Sequence, residues 1–367
     1  MRFWLRGSIL IALVAIATVA GRAQSLMQDL NTYYNDVNGY NLIAFGNVTL
    51  QNGPADIQGG IAVGGTLTVS TSNWQVGSQN TPGSDPSLYV AGGLSLSSGV
   101  TLSVTNGYAS LPGLSTSQWT WNYVSGNNST KTLTKGTETV SEVNSSSSQS
   151  TLNPINRTTN PSWNFSTLQT TYENLSTSLG DATANGTIAV NGAQTLVFTP
   201  PASPPGDVAV FTLDASKLSG GDYYNGSYFT GIELNVPAGV NYVINVINVS
   251  SNQTLFGSNI SFTGSSTYDD QVLWNFEGCS YSFTVTDGSY FYGSILAPEA
   301  NPIDDNSTID GNVVTDGFID NGVELHDDDS FVPVQILVPE ASTYGWWALG
   351  LCGLGIAVRR RHSRQRA

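Results

Sequence analysis

Between Ala55 and Val69 the chain alternates small or polar residues with aliphatic ones, and it sets two glycine pairs, Gly59-Gly60 and Gly64-Gly65, inside that short stretch. A period of two means a strand with one buried face. Ile57, Ile61 and Val63 then point to one side, and Leu67 and Val69 join them if Gly64-Gly65 turns a corner. Strands this short, parted by glycine corners, suit a solenoid in which each coil adds a strand to a parallel sheet. Leu88 to Leu96 repeats the idea around Gly92-Gly93, and Val100 to Val104 follows Gly99. A β-sandwich also has short alternating strands; the glycine pairs and the shortness of the rungs favour the solenoid. The expected fold is mainly β, a right-handed β-helix or solenoid-like domain.

A helix is expected over Trp163 to Leu179. Phe165, Leu168, Tyr172, Leu175 and Leu179 are spaced three and four apart, which makes an apolar stripe. Ser162 is the expected N-cap and Gly180 the stop, and the helix should lie along a sheet. Leu26, Leu30 and Tyr33 could form a second helical face that ends at Asn38-Gly39. Residues 125–160 contain the serine run Ser145 to Ser148 and few large apolar side chains, so they read as an exposed, mobile insertion.

Both ends carry an export pattern. Arg2 and Arg6 precede the apolar run Ile9 to Ala20, and Gly21-Arg22-Ala23 fits a cleavage site, so 1–23 reads as a signal peptide. At the other end, Tyr344 to Val358 is an apolar or glycine plug followed by Arg359, Arg360 and Arg361. Arginine is retained on the cytoplasmic side of a membrane. A plug of roughly 22 Å as a helix is short against a hydrocarbon core of about 30 Å, which suits a temporary transmembrane helix.

This tail, 338–367, resembles the PEP-CTERM sorting signal of Gram-negative bacteria. The matching residues are Val338, Pro339, Glu340, Ser342, Arg359, Arg360 and Arg361; Ala341 departs from the family's second proline. The resemblance implies transient inner-membrane insertion at 344–358, an arginine-rich stop at 359–366, and an exosortase as processing partner. An ordinary single-pass anchor is the plainer alternative.

Within residues 24–340 only Lys131, Lys135, Arg157 and Lys217 are basic, against all 27 acidic residues, a net charge of −23. Such a surface repels nucleic acid and anionic lipid. Cys279 is the one cysteine of this body, so no intramolecular disulfide can staple it; it reads as a small buried residue.

Residues 24–335 resemble the choice-of-anchor A domain of bacterial surface proteins. The features that carry the resemblance are Leu273–Phe276 with Trp274 and Asn275, Gly293–Pro298 with Gly293, Leu296, Ala297 and Pro298, the rung Ile309–Val313 with Gly311, and the pair Glu324 and His326. An N-terminal counterpart runs from Phe45 to Gly65. The resemblance implies an adhesive domain of β-helix character at the cell surface or in an extracellular matrix, with polysaccharide or a matrix protein as partner, and no catalytic residues.

Chemistry is sparse. Asp304 and Asp305, and Asp327, Asp328 and Asp329, are hard-oxygen clusters that could take calcium; a solvated acidic rim is the alternative. Otherwise no cofactor is expected. His326 beside Glu324 reads as a structural hydrogen bond, since one histidine makes no zinc site. The rival function is a carbohydrate-active β-helix enzyme, which would need two suitably spaced carboxylates. Tyr223-Tyr224, Tyr228-Phe229 and Tyr290-Phe291-Tyr292 offer aromatic faces for glycans, although strand alternation must bury about half of them.

Overall fold

The computed structural model describes residues 24–334, apart from 38, 81–85, 125–129, 144–150, 158–163, 259, 264–268, 288–289 and 328–329. The expected signal peptide (1–23), sorting motif and plug (344–358) lie outside the described residues. Among those described, no helix is long and apolar enough to cross a membrane.

The first coil consists of the strands Tyr40–Ala44, Val48–Leu50 and Asp56–Ile57. The second is Gly60–Val63, Leu67–Val69 and Trp74–Val76, and the third Leu88–Val90, Leu94–Leu96 and Thr101–Thr105. Successive coils pair in parallel and in register: Leu42 beside Ile61 beside Leu88, Val48 beside Leu67 beside Leu94, Ile57 beside Val76 beside Val104. This is a three-sided parallel solenoid, and its register excludes the sandwich. Ile57, Ile61, Val63, Leu67 and Val69 are fully buried together, so Gly64-Gly65 does turn the chain between two sheets. The corner demands glycine because coils stack there: a Cβ on Gly65 would strike the Gly46 carbonyl, and one on Gly92 would strike that of Gly65.

The order of coils is not the order of the sequence. The chain begins in the middle of the prism and winds outward to Ala109–Ser110. It resumes at the far end with Val208–Asp214 and winds back, so that the last coil (Val313–Thr315, Phe318–Asp320, Leu325–His326) pairs with the first. The two segments that look alike in the sequence, around Ile57–Ile61 and Ile309–Val313, therefore meet at this seam. Asn41 fastens it: its Oδ1 accepts from Gly59 N–H, and its Nδ2 donates to the His326 carbonyl at 2.8 Å and to that of Gly311 at 3.3 Å. Asn312 Nδ2 returns a bond to the Tyr40 carbonyl at 2.7 Å.

Each of two sheets carries nine strands and the third seven. One nine-stranded sheet is covered by two helices, α1 (residues 24–37) and α2 (Phe165–Gly180). Met27, Leu30, Tyr33 and Val37 of α1 and Tyr172, Leu175 and Leu179 of α2 are buried. The helical face read from Leu26, Leu30 and Tyr33 is thus a helix, beside the amphipathic helix α2. The cap of α2 is Asn164, whose Oδ1 accepts from Thr167 N–H at 3.1 Å; Ser162 lies outside the described residues. Asn275 and Asn245 stand on the outer face of the sheet and bond the end of α2. Asn275 donates to the Ser176 carbonyl at 2.8 Å, and Asn245 to that of Leu179 at 2.9 Å, which ties the last turn of α2 to the sheet.

The expected mobile insertion at 125–160 needs correction. Thr130–Lys135 and Glu138–Val143 are strands, and Glu138–Val143 extends a sheet by pairing in parallel with Thr101–Thr105. Leu133 and Val140 are fully buried, two apolar anchors being enough for a hairpin that lies on an existing sheet edge. Arg157, within the same stretch, is buried against Glu142.

Asp305 and Asp320 form a second buried pair of ionisable side chains. They sit side by side on adjacent coils and both are fully buried. Each makes a corner turn with one oxygen: Asp320 Oδ1 accepts from Gly322 and Val323 N–H, and Asp305 Oδ1 from Ser307 N–H. The Oδ2 atoms have no partner. Burial raises both carboxyls, Asp320 to about 7, and the neighbouring carboxylate raises Asp305 further. A folded-state value above the unfolded one means stability present below about pH 3.8 and lost as pH rises through the folded value. Asp320→Asn keeps the corner acceptor and removes this loss. Wild type should become less stable relative to D320N between pH 5 and pH 8, by at most about 4 kcal/mol. Denaturant melts at the two pH values check this; an equal pH response in both proteins would count against a shared-proton pair.

Candidate functional site

The family-motif residues from Trp274 to Gly311 are scaffold. Trp274 is fully buried, and its Nε1 donates to the Tyr292 carbonyl at 3.0 Å. Gly293 (φ +101°) and Gly311 (φ +149°) stack at a corner, where a Cβ on Gly311 would lie 2.8 Å from the Gly293 carbonyl. Leu296 and Ala297 are buried, and the Pro298 carbonyl accepts from Gln169 of α2 at 3.3 Å.

The acidic clusters separate on inspection. Strand alternation turns Asp305 into the core and Asp304 outward, so the two cannot share a calcium ion. Asp327 accepts from Ser330 Oγ at 2.7 Å; Asp328 and Asp329 lie outside the described residues. Among the described residues no group of three or more histidine, cysteine, aspartate or glutamate side chains is placed to hold a metal. Cys279 is buried, and burial raises its thiol.

Glu324 and His326 do come together, with Asp310 as a third member that the Glu-x-His spacing did not reveal. His326 Nδ1 lies 2.6 Å from Asp310 Oδ1 and Nε2 lies 2.9 Å from Glu324 Oε2. With a carboxylate on each nitrogen the imidazolium is favoured, and the histidine is pushed up to about 9, first by the Asp310 bond. Held charged at both nitrogens, it lacks the free lone pair of a general base at neutral pH. Of the aromatics, Phe229 and Phe291 are core, whereas Tyr223, Tyr228 and Tyr290 are exposed.

The seven-stranded sheet presents another candidate surface. Its outward residues run in register across the coils: Thr254, Thr284, Asp304, Ile319, Thr49, Thr68, Ser95. All are half-buried or exposed, whereas the corresponding row on the helix-covered sheet, including Ile43, Ala62, Leu296 and Val314, is buried. Strands lie about 4.8 Å apart, so the row extends roughly 29 Å. Four of its seven members are threonines, whose branched side chains are stiff at χ1. A second row beside it is cross-linked. Gln51 Nε2 donates to Asn321 Oδ1 at 2.7 Å, and Asn321 Nδ2 to Asp304 Oδ1 at 2.6 Å. The result is a regular, mostly polar face, with Ile319 as the large apolar member of the row. The row is hidden in the sequence, because its members come from both halves of the chain and align only through the seam.

A search of curated proteins finds no match. Among solved structures, an ice-binding protein from the Antarctic ascomycete Antarctomyces psychrotrophicus aligns at 11% identity, over 82% of this chain and 96% of that one, with a TM-score of 0.32. An antifreeze ice-binding protein from an Arctic yeast aligns at 13% identity, over 82% and 94%, with a TM-score of 0.33. Neither score is high enough to place a residue of this chain by superposition. The family model described as "Putative Ice-binding-like adhesive domain" matches residues 33–327, most of the chain, which therefore belongs to the ice-binding-like adhesive domain family.

Proposed function

We propose that this chain is an exported adhesin or structural component of an extracellular matrix, associated with exopolysaccharide or biofilm, that binds through the open face of its seven-stranded sheet. The observation that carries the reading is that face: uncovered, regular over seven strands and fixed by lateral hydrogen bonds. A repeating polymer meets a repeating row at many weak contacts, which sum without any deep pocket. Ice is the second reading, favoured by the threonines. Asp304 and Ile319 interrupt their row with a carboxylate and a large apolar side chain, which suits a hydrated polymer better than an ice plane. The protein is not an enzyme in this reading, and the tail 338–367 is removed by an exosortase after passage across the inner membrane of a Gram-negative bacterium.

Purified 24–340 is expected to bind one class of polysaccharide or matrix protein on an array, equally with and without calcium, and to leave the polymer intact. Polysaccharide turnover that one acidic substitution abolishes would overturn the non-enzymatic reading. Thermal hysteresis without polymer binding would favour ice.

A further inference from the structure

A different face carries a second feature. On the outer side of the sheet that contains Leu325–His326, Tyr292, Asp310 and His326 lie side by side on three adjacent strands. Glu324 precedes His326 by two residues on the same side, and Asp56 lies next to it on the first coil, since Ile57 pairs with Leu325. Asp56 feels both the Glu324 carboxylate and the His326 charge. One Asp56 oxygen is held by Ser78 Oγ, and the other is buried without a partner. Tyr290 stands over one end of this patch. Its ring is stacked on Tyr292 at 18° and 6.3 Å, and its centroid is 6.2 Å from that of His326. Tyr290 is 53% exposed, and the Glu324 side chain 52%.

We propose that this patch is a saccharide subsite for a hexosamine bearing a free ammonium group. An exposed tyrosine pair gives a sugar ring its apolar platform, and the negative faces of the rings attract a cation. Asp310 is spent on His326, and the imidazolium offsets one carboxylate. Glu324 and Asp56 leave the patch net negative, so it accepts an ammonium and repels uronates and sulfated sugars. A hydroxyl of the same sugar finds an acceptor in Glu324 Oε1, since Oε2 holds His326. N-acetylation would remove the charge and add bulk where the carboxylates wait. The site is separate from the open threonine face and would stand if that face proved inert.

The test is calorimetric titration of 24–340 with short glucosamine oligosaccharides, N-acetylglucosamine oligosaccharides and neutral gluco-oligosaccharides. Glucosamine oligomers should bind at least about tenfold more tightly than the N-acetylated ones. Tyr290→Ala and Glu324→Gln, both at exposed side chains, should each weaken that binding at least about fivefold. Thr49→Lys with Thr68→Lys, on the open face, should leave it intact. The proposal is overturned if the N-acetylated or neutral oligomers bind as well, if no oligomer binds, or if Tyr290→Ala binds glucosamine like wild type. That last result would mean general attraction of a cation to an acidic protein. Loss of array binding in the double lysine variant with glucosamine binding retained separates the two faces; loss of both in that variant would count against a separate subsite.

Discussion

Trp274→Ala will cost about 3–5 kcal/mol of unfolding free energy in urea, because it empties the centre of the wide end of the solenoid. Near the seam the core is filled mostly by Leu, Ile and Val, with Trp74 and Phe318 among them. Towards the far end a four-stranded sheet of Thr187–Val190, Thr195–Thr199, Gly231–Glu233 and Ser261–Thr263 supplies another wall. The indole of Trp274 fills the space, with Phe291 at 5.1 Å, Phe198 at 5.7 Å and Phe256 at 6.0 Å between ring centroids. Trp274→Phe keeps most of the apolar volume but leaves the Tyr292 carbonyl without its Nε1 donor, so a loss of about 1–3 kcal/mol is expected. A loss below about 1 kcal/mol for the alanine variant would mean that the far end collapses freely around the gap, against the rigid packing described here.

Arg157→Ala will destabilise the hairpin end by about 3–5 kcal/mol, while replacing Arg157 and Glu142 together by Met and Leu will recover much of the loss. The guanidinium lies between the rings of Tyr108 and Trp121, at 5.3 and 5.4 Å from their centroids. It donates to both Glu142 oxygens, to the Leu152 carbonyl at 2.6 Å and to that of Ala109 at 2.6 Å. Glu142 also accepts from Ala109 N–H at 2.8 Å. Burial raises the Glu142 carboxyl and Arg157 pulls it back. Removing the arginine alone leaves a buried carboxylate uncompensated, whereas removing both charges avoids that penalty. A double-mutant cycle from denaturant melts measures the difference. A double variant no more stable than Arg157→Ala would show that the pair's packing, not its charge balance, holds the hairpin.

The short-range features were legible. Period two placed Ile57, Ile61 and Val63 inside, Gly64-Gly65 marked a true corner, and the spacing from Phe165 to Leu179 found α2. The same alternation contains the fate of Asp305, one residue from the outward Asp304, once the strand Ile303–Asn306 is drawn. Partners far apart in sequence were hidden. Arg157 lies in a polar stretch whose composition suggests mobility, and only the folded hairpin brings Glu142 to it. The resemblance between the first and last coils suggested repetition, but its physical meaning is adjacency: Asn41, Gly59, Gly311 and Asn312 close one seam. The threonine row could not be seen without that seam, since Thr49 and Thr68 stand on one side of it and Thr284 and Thr254 on the other.

The most direct test of binding through the open face is to place charge on it without touching the core. Thr49 and Thr68 are neighbouring outward residues on adjacent strands, and lysines there would project into solvent. Binding of Thr49→Lys/Thr68→Lys to the polymer that wild-type 24–340 selects on the array should fall at least about tenfold, a loss of about 1.4 kcal/mol, with the urea midpoint unchanged. Undiminished binding by a folded double variant would contradict the assignment of this face.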